Sequence, residues 1–349
     1  MDLWNARDNN TYPSCSFLLD HNETVKSPSG SRFCTLVIGQ QNSEINSTAK
    51  FTIKTKEAVG PAIPEPLTWV EKSERWNKEL DALKNMPPDA LERGLKTIRL
   101  CTDETFRIQC NRSNVYVGLR NDGMKAAIRI VRPGDTVQKE ERQNEAKILK
   151  ELRQPNIVHF MLKESVNGTD YFATELCDYT LKEWIESGRN TTHNMVKQLM
   201  EGLQYLHHSQ RVLHCDLSPE NVLVMCDGGN HLKLADFGFS YKLKPTEECY
   251  SCTPTGTTCW RASEVLQCRQ GDQVDYKFTT DVQVSGMLAH YMMSSGTHPY
   301  HDPDDTRLEQ NIERGTPTLT VTDTIAADMV KLMLTANPDD RPMVECLCK

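Results

Sequence analysis

The sequence contains no run of about 18 apolar residues, the length needed to span a bilayer. Its first residues, Met1-Asp2-Leu3-Trp4-Asn5, lack the basic-then-apolar pattern of a secretory leader. These absences predict a soluble, cytoplasmic chain with no membrane partner. Basic charge is not in excess either. With 40 Lys and Arg against 48 Asp and Glu, the net charge is −8 and the pI is near 5.7. A nucleic-acid partner is therefore not expected, because phosphate backbones are bound mainly through clustered Lys and Arg. Paired cysteine knuckles are missing as well. The 13 cysteines are odd in number and scattered from Cys15 to Cys348, and in a reducing compartment they read as small buried apolar residues, not as a disulfide framework. Cys249 and Cys252 form one CxxC, with Cys259 and Cys268 downstream; without a second pair, loop cysteines are preferred over a zinc site. What remains is ordinary globular composition, 38% hydrophobic and 25% charged over 349 residues, enough for one large domain or two modest ones.

The first 58 residues are rich in Asn, Ser and Thr, and three stretches there, Cys15–Leu19, Phe33–Ile38 and Lys50–Ile53, read as strands. They predict either a small sheet or a partly disordered stretch. Closely spaced prolines at Pro61, Pro64 and Pro66 favour an extended linker and open a segment, 59–100, made of that linker and a helix. Trp69, Trp76, Leu80 and Leu83 share one face of that helix, which Pro87-Pro88 must end. β-like runs follow at Thr105–Gln109, Asn114–Leu119 and Lys125–Val131, then a helix carrying Glu145, Ile148, Leu149 and Leu152, then strands at Ile157–Phe160 and Tyr171–Leu176. Beyond them the chain turns helical, with Met195, Leu199, Leu203 and Leu206 on one face and another long apolar segment around Met287, Leu288, Tyr291 and Met292. A small β-rich lobe of about 101–176 precedes a larger helical lobe of about 177–349.

The chemistry-bearing residues lie in this second half. His214-Cys215-Asp216 is followed by Asn221, five positions after the aspartate, and Leu234-Ala235-Asp236-Phe237-Gly238 comes fifteen residues past Asn221. Gly256-Thr257-Thr258-Cys259-Trp260-Arg261-Ala262-Ser263-Glu264, then Asp281 to Gly286, then Asp340-Arg341-Pro342 complete the series. Together and in this order they resemble the catalytic loop, the metal-binding triplet, the end of the activation segment, the central helix and the closing arginine of protein kinases. The resemblance covers about residues 101–345 and implies an α+β, two-lobed kinase fold of 101–349, preceded by the small N-terminal region. It implies ATP and Mg²⁺ as cofactors, with Asp236 and Asn221 holding metal and Asp216 orienting an acceptor hydroxyl and taking its proton. The plainer alternative for Asp216 and Asn221 is bracing of the loop. Glu264 and Arg341 are implied to form a structural ion pair. Phe172-Ala173-Thr174-Glu175-Leu176-Cys177 and Thr180-Leu181-Lys182-Glu183-Trp184 look most like the kinase-endoribonucleases of the unfolded-protein response and the oligoadenylate-dependent ribonuclease. In that alignment Thr174 is the gatekeeper, Glu175 to Cys177 form the hinge that meets adenine, and Val115, Ala127 and Leu223 sandwich the base. That group often works through dimers. The chain ends eight residues after Arg341, so nuclease activity is not expected.

Several phosphate-gripping parts depart from the pattern. Ile108 to Val115 stands in the place of the glycine-rich loop and contains no glycine, so backbone amides should approach phosphates poorly. Arg129 replaces the lysine expected to pair the phosphates with Glu145, and its planar fork is not equivalent to a point charge. Ser218 replaces the loop lysine, and Cys215 the loop arginine that would receive a phosphate on Thr253, Thr255 or Thr257. Lys125, on the face of Ala127 and Arg129, reads as a solvated lysine near a turn rather than as a substitute. Each lost charge costs about 10²- to 10³-fold, so two take ~10⁴ or more from a kinase's usual 1 to 100 turnovers per second. Three functions follow as expectations. The first is a weak or specialised Ser/Thr kinase acting on a protein substrate; the second is a pseudokinase that binds nucleotide and a signalling partner; in the third, residues 1–58 carry the main role as a recognition domain.

Overall fold

Pro87-Pro88 set the end of the first helix. The structure, a computed structural model, describes residues 70–108, 114–301 and 307–347. The three N-terminal strand expectations, Trp69 and most of the loop from Ile108 to Val115 lie outside the described residues. Helix α1 (Asn77–Asn85) stops at Met86, whose backbone is already extended, as a residue before proline prefers. Trp76, Leu80 and Leu83 are buried in one core with Ile98, Leu100, Val117, Leu119, Ile128 and Tyr171. That core lines an antiparallel sheet built from β1 (Ile98–Leu100), β2 (Arg107–Ile108), β3 (Val115–Arg120), β4 (Lys125–Val131), β5 (Phe160–Val166) and β6 (Thr169–Glu175). Its order is β1-β3-β4-β6-β5, with β2 also paired to β3. Two sequence expectations shift. Glu104–Phe106 coils into a 3-10 turn, so only Arg107–Ile108 pairs within the described residues. The strand expected from Ile157 begins at Phe160 instead, because Ile157 is drawn to Leu234 in a single parallel bridge.

Helix α2 (Thr136–Leu149) connects β4 to β5 and is capped by Asp135, whose carboxylate accepts from the Gln138 amide. The second lobe carries β7 (Tyr179–Thr180), α3 (Leu181–Glu186), α4 (His193–Gln204), β8 (Val212–Leu213), β9 (Val222–Cys226), β10 (Asn230–Leu234), β11 (Tyr241–Lys242) and β12 (Tyr250–Cys252). It continues with α5 (Ser263–Gln267), β13 (Val274–Tyr276), α6 (Phe278–Met293), α7 (Leu308–Arg314), α8 (Thr324–Met333) and α9 (Val344–Leu347). The expected stripe Met195, Leu199, Leu203 and Leu206 is buried, and α6 is buried on every side from Thr280 to His290, as a central core helix must be. At Gly286 a side-chain carbon would come within 2.8 Å of Met333, so glycine is what lets α6 and α8 approach. The result is the two-lobed α+β layout that the motifs implied.

Residues 71–76 strap the lobes together along the hinge. Asp178, buried at the end of the hinge, accepts from the Ser73 hydroxyl at 2.5 Å, the Arg75 amide at 3.1 Å and the Cys226 amide at 2.7 Å. Arg75 also grips Glu183 with both terminal guanidinium nitrogens, at 2.9 and 3.0 Å. The same strap corrects the reading of Lys125. That residue is 2% exposed, its amide donates to Glu71 and its ammonium to the Lys72 carbonyl at 2.8 Å, so it is covered by a segment far away in sequence and is not a solvated surface group. Asp178→Ala strands three donors and is expected to cost about 2–3 kcal/mol, read as a lower urea midpoint with an unchanged slope. A loss below ~0.5 kcal/mol would mean that water replaces the carboxylate.

Candidate functional site

The catalytic-loop segment is held from below by α6. Asp281 accepts from the His214 amide at 2.7 Å, the Cys215 amide at 3.0 Å and His207 Nε2 at 3.0 Å. Cys215 has φ +63°, a left-handed conformation that a non-glycine residue keeps only when its surroundings fix it. His214 Nε2 faces the Ala235 carbonyl at 3.1 Å; a carbonyl only accepts, so that nitrogen carries the proton. Asp216 follows, and Asn221 Nδ2 donates to its carbonyl at 2.7 Å and to its Oδ2 at 3.0 Å. Thr257, from the activation segment, donates its hydroxyl to Asp216 Oδ1 at 2.7 Å. The structure thus brings Asp216 and Asn221 together and puts a threonine hydroxyl against the carboxylate. Ser218 is fully buried and supplies no charge where the family's lysine would reach.

Asp236 is delivered by β10 and also has positive φ, +61°. Phe237 beside it is fully buried and lies 4.8 Å from the His214 ring, which anchors the turn. The Asp236 carboxylate is met by two guanidinium groups. Arg142, from α2, donates to Oδ1 at 2.8 Å, and Arg129, from β4, donates to Oδ2 at 3.4 Å. Arg142 is itself fixed: it donates to Glu145 at 2.6 Å and lies 3.4 Å from Glu141, with its side chain 6% exposed. The pair expected between Arg129 and Glu145 is present but longer, 3.7 Å. Burial pushes the Glu145 carboxyl up to about 7, against the pull of Arg129. Sequence reasoning missed Arg142, although a residue three positions before Glu145 shares its helical face.

This donor set does not fit a divalent cation as it stands. A magnesium ion binds oxygen at about 2.1 Å, so an ion on Asp236 Oδ1 would lie at most about 5 Å from the Arg142 nitrogen. At an effective dielectric constant of about 20, Arg142 sets roughly 7 kcal/mol of repulsion against the attraction of a carboxylate that it already pairs. One cation near Asp236, Arg129, is what the family's lysine would supply. The second, Arg142, is additional.

The residues expected around a base come from both lobes. Val115 on β3 lies opposite Arg129, and Ala127 on β4 lies opposite Val117 and Thr174. Leu223 sits on β9, in the three-stranded sheet of the large lobe. Glu175 pairs with Lys233 at 2.9 Å and accepts from the His159 amide at 3.2 Å. The Cys177 carbonyl accepts from the Trp76 indole at 3.1 Å, and burial pushes its thiol well up. Among the described residues, no three His, Cys, Asp or Glu side chains gather in a way that could hold a metal, Cys249, Cys252, Cys259 and Cys268 included. No helix among them is long and apolar enough to cross a membrane.

The sequence is also similar to those of known protein kinases. The chain is 32% identical over 219 residues to the serine/threonine-protein kinase/endoribonuclease IRE2 of Homo sapiens, covering 57% of this chain and 23% of that protein. It is 26% identical over 294 residues to the serine/threonine-protein kinase/endoribonuclease IRE1 of Hypocrea jecorina, covering 70% and 23%. To the ire-1 enzyme of Caenorhabditis elegans it is 29% identical over 213 residues, covering 56% and 21%. The chain therefore spans less than a quarter of the length of these relatives. The family described as protein kinase domain matches residues 109–349, well over half of the sequence, and the chain belongs to that family.

Proposed function

We propose that this chain is a nucleotide-binding pseudokinase, a kinase fold that acts by binding ATP and presenting its surfaces to a signalling protein or to a second copy of itself. The observation that carries this reading is the double guanidinium clamp on Asp236, at 2.8 and 3.4 Å. Protein kinases in general use ATP with Mg²⁺, and the metal bridges the β- and γ-phosphates as charge develops. Here the carboxylate that would hold it is already paired, Ser218 brings no cation to the transferred phosphate, and Arg129 replaces a lysine. The adenine side does not depend on those groups. Val115, Ala127 and Leu223 supply apolar faces, and the hinge from Glu175 to Cys177 supplies backbone partners.

A second reading, weak Ser/Thr phosphotransfer to a protein substrate, is favoured by one contact, the Thr257 hydroxyl on Asp216 at 2.7 Å. That contact has the geometry a general base needs toward an acceptor. A thermal-shift titration with Mg–ATP beside a radiolabelled transfer assay separates the two. At a hundred times the dissociation constant, bound nucleotide adds about 2.7 kcal/mol, which for a domain of this size raises the midpoint by roughly 5–10 °C. The expected result is that shift with no label above the Asp216→Asn background. Label that Asp216→Asn abolishes would establish the second reading; the absence of any shift would remove nucleotide binding from the proposal.

A further inference from the structure

We infer that Arg142 is a built-in cation for the nucleotide site, so that a nucleoside triphosphate binds this protein as tightly without a divalent metal as with one. The inference rests on the nucleotide-binding reading above and specifies the form in which the ligand is taken. A carboxylate in the position of Asp236 repels a triphosphate unless a cation lies between them, and in kinases the metal supplies that cation. Here the guanidinium of Arg142 already sits on Asp236 Oδ1 at 2.8 Å, and Arg129 on Oδ2 at 3.4 Å. The aspartate is silenced before any ligand arrives.

The placement of Arg142 is built and not incidental. Its side chain is 6% exposed and is clamped between Glu141 at 3.4 Å and Glu145 at 2.6 Å on its own helix. Across the helix interface, the Asn144 amide donates to the carbonyls of Gly238 and Ser240, at 3.1 and 2.9 Å, which locks α2 against the segment that carries Asp236. A side-chain carbon at Gly238 would come within 3.0 Å of Arg142 Nη2, so the glycine of this triplet leaves the guanidinium its room. An arginine held from three directions does not swing away to admit a metal without dismantling the contact between α2 and this loop. The price of that rigidity falls on metal binding and not on the adenine contacts, which lie on other strands.

The test is equilibrium dialysis of ATP with the full chain, in excess EDTA and again in millimolar Mg²⁺. The wild-type dissociation constants are expected to agree within about threefold. Arg142→Gln removes the nearer of the two cations and leaves only Arg129 on Asp236, at 3.4 Å, so its binding should become metal-dependent, at least tenfold tighter with Mg²⁺. Wild-type binding that is tenfold or more tighter with Mg²⁺ overturns this inference alone and leaves nucleotide binding standing. Wild type that binds ATP in neither condition overturns both. The wild-type comparison is decisive even where Arg142→Gln fails to fold.

Discussion

Arg341→Met is expected to lower the unfolding free energy by about 3–5 kcal/mol, the range for breaking a buried charge pair from one side. The guanidinium is completely enclosed and every nitrogen is used. Nε donates to the Thr335 carbonyl at 2.7 Å, Nη1 to Glu264 at 2.9 Å and the Thr279 carbonyl at 3.0 Å, and Nη2 to Glu264 at 2.7 Å, the Ala336 carbonyl at 2.8 Å and the Ser263 hydroxyl at 3.0 Å. Methionine matches much of the volume and none of the donors. It leaves Glu264 with an uncompensated charge and takes a donor from the carbonyls of Thr335, Thr279 and Ala336, of which Ala336 keeps the Ser263 hydroxyl at 2.9 Å; each group left orphaned costs about 1–3 kcal/mol. For a domain of this size the melting temperature should fall by roughly 10 °C. Pairing the change with Glu264→Gln should recover part of the loss, because the stranded charge is then gone. A single-variant loss under about 1 kcal/mol would mean that the arginine fastens nothing that hydrophobic packing cannot fasten.

That pair was legible in the sequence, and the reason is instructive. Glu264 and Arg341, 77 positions apart, were paired through the resemblance of their motifs to those of protein kinases and not through local shape, as were Asp216 and Asn221, which the structure brings within 3.0 Å. Strand β4, Lys125–Val131, was legible too, since Ile128, Ile130 and Val131 are β-branched and the run lies between Gly123 and Pro133. What sequence could not carry is contact made by distant cover. Lys125 looks like a turn lysine until residues 71 and 72 close over it. Arg142 looks like one more charge on a polar helix, and only the packing of α2 against the Asp236 turn makes it a partner of that carboxylate. The strand expected from Ile157 fails for the same reason: its backbone is claimed by Leu234 from β10, a competitor that lies beyond any local window.

Asp281→Ala is expected to cost a further 3–5 kcal/mol at pH 7, and its pH dependence identifies the cause. The carboxylate lies wholly within the core, where burial alone would raise its pKa. The His207 hydrogen bond and charge, with the amide of His214, outweigh burial and hold it below the ordinary carboxylate range. A folded pKa below the unfolded value means that the native state binds fewer protons through that window. The stabilisation is therefore complete above about pH 5 and is lost as pH falls through the folded pKa, below the unfolded value of about 3.9. Alanine has no such term. The difference between wild type and variant in urea unfolding should be largest from pH 5 to 7 and should narrow toward pH 3. Because two of the three stranded donors are the amides of His214 and Cys215, the loss falls on the segment that presents Asp216, and Cys215 no longer has the support that keeps its left-handed backbone. A difference that stays constant down to pH 3 would show that the negative charge of Asp281 adds nothing, and that the loop is held by its backbone and by Phe237 alone.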